Sequence, residues 1–267
     1  MTGWLTMAGP LAAAAFGEDP GCWPLPAART AREHWLRAVA AGGQGRYGCA
    51  SAELDSLRRL VGTGPLASLA HSTQASFLRQ LGGHDLARGW DGRAHALAGP
   101  DMEASADALI GLAADALGMK RFAASAALLG RVRLLLDGGP ALSDRLPLRL
   151  TWVAAELAMV SGDGRAAVRH AEHARELAVT APSVRHRVKT DVVAAAALCS
   201  DGQLERARRI GDDALMSTER LGLMPLRWAV ASMLVDAGSE ALSVDQLRAV
   251  RDGCAAELQR RGGVWHM

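Results

Sequence analysis

The stretch from Leu146 to Pro182, LPLRLTWVAAELAMVSGDGRAAVRHAEHARELAVTAP, constrains the fold more than any other. It predicts two helices facing each other across a tight turn, Ser161-Gly162-Asp163-Gly164. Thr151, Ala154, Ala155 and Ala158 fall on one face of the first arm at helical spacing, and Ala167, Ala171, Ala174 and Leu177 do so on the second. Small residues on both faces let two backbones approach closely, which an antiparallel pair with a short loop requires.

The arrangement recurs. With Ala167 as anchor, a turn lies about five residues before and small or apolar residues lie four and seven after. Ala50 with Leu54 and Leu57, Ala87 with Asp91 and Ala94, Ser125 with Leu129 and Val132, and Ala207 with Gly211 and Ala214 repeat it, Asp91 being the polar exception. The anchors at 50, 87, 125, 167 and 207 are 37, 38, 42 and 40 residues apart. A Gly-Asp turn followed by small residues in this register resembles the tetratricopeptide (TPR) repeat, whose period is about 34 residues. The resemblance implies an all-α, right-handed solenoid of about five to six antiparallel hairpins, with a concave groove that holds another protein.

Alanine-rich arms and 4% aromatic residues agree with helix rather than sheet. Repeat units share one continuous core, so residues 25–262 are expected to form a single repeat domain. Residues 1–24 stand apart as an N-terminal extension that caps the first repeat through a short helix, Leu11 to Phe16. Its apolar run has no Lys or Arg before it and is interrupted by Gly9-Pro10, unlike a secretory signal. Residues 263–267 form a tail. No stretch approaches the ~20 apolar residues of a membrane span. Cys22, Cys49, Cys199 and Cys254 are scattered without a Cys-x-x-Cys pair, which points to reduced thiols and a cytoplasmic protein. Thirty basic against 28 acidic residues is too balanced to argue for nucleic acid.

Three chemical patterns were weighed. Gly43-Gln44-Gly45-Arg46-Tyr47-Gly48 matches G-x-G-x-x-G, but a helical arm precedes it where a dinucleotide fold needs a strand. His170 and His173 around Glu172 fit no zinc spacing and fall on the side of their helix away from the core. No nucleophile elbow or P-loop occurs. The expectation is therefore no catalytic residue, no metal, no cofactor and no enzyme.

What the resemblance implies about a site comes from the first arms, which line the concave side in the TPR family. Carried over position by position, Arg79, Arg149, Trp152, Glu156, Lys189, Arg227 and Trp228 become the expected partner-binding groove. Arg79, Arg149, Lys189 and Arg227 would contact an acidic or C-terminal segment of a protein or peptide partner, and Trp152 and Trp228 would anchor it. The competing interpretation has the tryptophans filling gaps between hairpins. An alternative function is a regulatory sensor or effector, of the kind TPR-like arrays serve in bacteria, acting on transcription through a partner or by direct nucleic-acid contact. The family's Lys/Asn carboxylate-binding pattern is not present here.

Overall fold

The computed structural model describes residues 9–138 and 142–266, and these contain thirteen α-helices and no strand. The first, α1 (Pro10–Phe16), is short. It is followed by α2 (Ala31–Gly43), α3 (Tyr47–Leu60), α4 (Pro65–Gln80), α5 (His84–Ala98), α6 (Met102–Gly118) and α7 (Phe122–Gly138). Then come α8 (Arg145–Val160), α9 (Gly164–Val179), α10 (Val184–Ser200), α11 (Leu204–Arg220), α12 (Met224–Ala237) and α13 (Val244–Arg260). From α2 onward every helix packs on the next in the chain, and each even-numbered helix also packs on the next even-numbered one through to α12.

The helix ends follow local chemistry. Asp101, Asp163 and Ser183 accept a hydrogen bond from a first-turn backbone N–H of α6, α9 and α10. Ser243 and Gln246 form a capping box on α13, as the order Ser-Val-Asp-Gln spells in the sequence. The apolar and helical pattern of the sequence places the first arm from Pro26 to Ala41, but α2 begins only at Ala31. Thr30 and Glu33 make a second capping box there, and Pro24 and Pro26 hold the preceding backbone out of the helix. Beyond Leu221, where the sequence pattern weakens, α12 and α13 still pack as a pair.

All five anchors, Ala50, Ala87, Ser125, Ala167 and Ala207, are 0% exposed. Ala167 packs among Ala171, Ala194 and Ala197 where α8, α9 and α10 meet, so a large side chain has little room there. The tryptophan on α8 and that on α2 play one structural role. Trp35 Nε1 donates to Thr73 Oγ1 on α4 at 3.0 Å, and Trp152 Nε1 donates to Thr190 Oγ1 on α10 at 3.0 Å, each across 38 residues of chain. An indole thus bridges one even-numbered helix to the next and satisfies its own buried N–H.

The residues after α13 meet the first helices of the array. Gly48 N donates to Arg261 O at 2.8 Å, Arg261 Nη1 donates to Gln44 O at 3.0 Å, and His266 N donates to Leu81 O at 2.8 Å. Trp265 packs on Trp228 with centroids 4.6 Å apart and rings tilted by 41°, and Leu258 joins the core that α1, α2, α3 and α4 build. Residues 263–266, expected to be a simple tail, therefore lie along the turns after α2 and α4. Helix α1 packs on α2 and also reaches α10, so it touches more than the first repeat alone.

Candidate functional site

The even-numbered helices carry a layer of charged side chains that stitches them together. On α4, Arg79 Nη1 binds Asp115 Oδ1 of α6 at 2.9 Å and also pairs with Asp91 of α5. Both carboxylates are 0% exposed at the side chain. Gly111 makes the approach of Asp91 possible, since a Cβ there would lie 2.2 Å from Asp91 Oδ2. Two carboxylates facing one guanidinium in a dry site raise each other's proton affinity. Burial first, then the Asp91 charge working against the pull of Arg79, pushes the Asp115 carboxyl up to about 7, and Asp91 is also raised. The Arg79 guanidinium is held firmly charged by the two acids, which outweigh its burial.

One step along, α8 meets α6 through Arg145 Nη1 to Asp107 Oδ1 at 2.8 Å, Arg145 Nη2 to Glu103 Oε1 at 3.5 Å, and Arg149 to Asp107. A further step joins α8 to α10, where Lys189 Nζ lies 3.9 Å from Glu156 Oε1 and 4.9 Å from the centre of the Trp152 ring. His186 of α10 meets Trp152 edge to face at 5.4 Å. Burial and the surrounding Arg185, Arg145, Arg149 and Lys189 keep His186 neutral, well below the ordinary histidine range. Burial, then the Arg79 and Arg185 charges, lower Arg149 to about 10; burial and Arg145 lower Arg185 likewise to about 10. Cations crowd this layer, and Arg185 has no carboxylate partner among the described residues.

The seven residues singled out from the sequence separate on this map. Arg79 is engaged inside the α4–α5–α6 junction. Arg149 pairs with Asp107 on α6, its side chain 18% exposed. Trp152 is 4% exposed and fills the space between α8 and α10, the gap-filling arrangement weighed against an open-surface one. Glu156 and Lys189 are the most open of the set on α8 and α10, at 34% and 39%. Arg227 binds Glu219 of α11 at 2.9 Å, and Trp228 is covered by Trp265. Arg149, Trp152, Glu156 and Lys189 thus come together on α8 and α10, Arg79 lies in the same charged layer at the α4–α5–α6 junction, and Arg227 and Trp228 lie apart from it.

Glu103, Asp115, Arg145, Arg185 and His186 were not singled out. On a linear sequence, Asp and Arg along an Ala-rich helix look like a solvated face, and only the stacking of even-numbered helices buries them. The glycine run at 43–48 is the turn between α2 and α3. His173 is 59% exposed beside Glu176, and the described residues contain no group of metal-holding side chains. The four cysteines are free, and no helix among the described residues is long and apolar enough to cross a membrane. No protein-family model matches the chain, and no curated protein matches it.

Proposed function

We propose that the chain is a cytoplasmic protein-binding module, a right-handed TPR-like solenoid of five to six hairpins that holds a partner segment on the surface of its even-numbered helices. One observation carries this reading: Lys189 and Glu156 stay open on adjacent even-numbered helices, with Lys189 over the buried Trp152 ring and within reach of the Arg149 charge. A lysine, a carboxylate and an arginine on a rigid aromatic floor can orient a peptide by charge. Because Lys189 and Glu156 are half-exposed, they steer association and set register more than they supply affinity. Ligands with an acidic side chain next to an apolar one fit best, with Lys189 and Arg149 taking the acid. Glu156 selects the orientation.

The test is selection of short acidic peptides from a displayed library, followed by Lys189→Glu and Glu156→Lys singly and together. Each single reversal is expected to weaken the selected peptide at least tenfold with helicity unchanged, and the double reversal to recover part of the loss. Affinity indifferent to both reversals would place the binding surface elsewhere.

A further inference from the structure

Resting on that reading, we propose that residues 9–22 are a ligand bound in cis. The surface between α2 and α10 takes a short apolar helix followed by an acidic pair, and a partner segment of that chemistry competes with the chain's own. The segment precedes the hairpins that begin at α2, and its helix packs on α2 and reaches α10. Its helix α1 buries Leu11, Ala12, Ala14, Ala15 and Phe16 on one side, and Glu18-Asp19 follow directly.

The way it is held is that of a recognised peptide. The body supplies donors to the segment's carbonyl oxygens, and they come from residues far apart in sequence. Val184 N donates to Gly17 O at 3.1 Å, and Arg185 Nη2 donates to Ala15 O at 3.3 Å. Gln44 Nε2 donates to Pro20 O and to Cys22 O, each at 2.9 Å. Arg187 Nη2 lies 3.4 Å from Glu18 Oε1. Phe16 sits in a pocket with mixed walls: Trp35 at 5.3 Å, His186 at 5.9 Å and the Arg145 guanidinium at 5.9 Å. An aromatic ring received by an arginine, a histidine and a tryptophan is the arrangement of an anchor in a binding surface.

The resident segment also leaves chemistry unused. Arg185 Nε and Arg145 Nε are buried without a hydrogen-bond partner among the described residues, as is Arg145 Nη2 apart from its 3.5 Å ion contact with Glu103. Towards Arg185 the segment offers only a carbonyl oxygen. A carboxylate in that place would meet the unused donors with charge-assisted hydrogen bonds, about twice as strong as neutral ones. An incoming segment with an acid directed at Arg185 therefore has an advantage that offsets the tether of the resident one, and the tether sets the threshold such a partner must exceed.

The experiment keeps the whole chain. A protease site inserted between Ala27 and Ala28, in the exposed stretch before α2, is cut in the folded protein. The nicked complex is then mixed with a labelled, end-blocked peptide of residues 9–22. The expected result is exchange of the nicked segment for labelled peptide without loss of helicity, at least tenfold weaker uptake by the uncut chain, and weaker uptake again with Arg187→Glu. A segment that never exchanges, a body that unfolds as the segment leaves, or equal uptake before and after cutting would each overturn the proposal. The display-selected peptides separate this idea from the reading beneath it. If they bind but neither compete with the labelled segment nor gain from cutting, only the cis-ligand proposal fails. If no displayed peptide binds at all, the reading beneath it fails.

Discussion

At the scale of the residue, the most consequential side chain is Asp115. Its carboxyl, raised to about 7 by burial, stands against an unfolded value near 3.9. A carboxyl with a raised folded pKa contributes stability that is full below the unfolded pKa and is lost as pH rises through the folded one. His186 acts in the opposite direction. Its folded pKa is depressed by burial and by Arg185, so stability is lost as pH falls through the unfolded value near 6.5. Asp115→Asn mimics the protonated acid and removes one of these opposing contributions. Urea midpoints at pH 8, 6.5 and 5 are expected to show the unsubstituted chain gaining on the variant as pH falls. A difference that stays constant across that range would mean Asp115 is ionised in the folded state. Asp91 was visible in the sequence as the one polar residue in an apolar register. Its partners Arg79 and Asp115 were not, because they come from helices whose relative height no local pattern encodes.

At the scale of the element, the repeated helix pair was legible because its signal is periodic and steric. A small residue every 37 to 42 positions survives any detail of side-chain chemistry, and all five such residues are fully buried. Ala167 lies in a cluster of Ala171, Ala194 and Ala197 with Met159 beside it, where α8, α9 and α10 meet. Ala167→Leu adds three heavy atoms to a space without room for them and is expected to cost about 1–3 kcal/mol. Thermal and urea unfolding measure it, and an unchanged midpoint would show that the three helices do not meet at this residue. The apolar pattern alone places the start of α2 five residues early, at Pro26 rather than Ala31, although Thr30 and Glu33 already spell a capping box. Helix α7 shows the limit of the pattern. Its register is intact, yet it buries only Ser125, Leu129 and Val132.

At the scale of the whole molecule, the chain closes on itself, and nothing in the pattern of any single pair announces this. Closure depends on the sum of small rotations between successive pairs, each set by side-chain volumes at a crossing. An open array of repeats has stability that is roughly a sum of nearest-neighbour contributions, so its ends fray independently of its middle. Here the contacts of Arg261 and Gly262 with Gln44 and Gly48 join the last helix to the first pair. Opening α12 and α13 therefore also uncovers Trp265, Leu258 and the core built on α2. Gly262 carries that junction, with φ at +91° and room for no side chain: a Cβ would lie 2.8 Å from Gly48 N. Gly262→Val strains the backbone and forces the two ends apart, leaving every other helix crossing untouched. Amide exchange in the closed chain is expected to give α12 and α13 protection close to that of α6. In the variant they should exchange at least tenfold faster, while α6 keeps its rate. Equal loss of protection throughout the chain would mean the substitution merely destabilises the fold, and unchanged protection in α13 would mean that closure contributes nothing to its cooperativity.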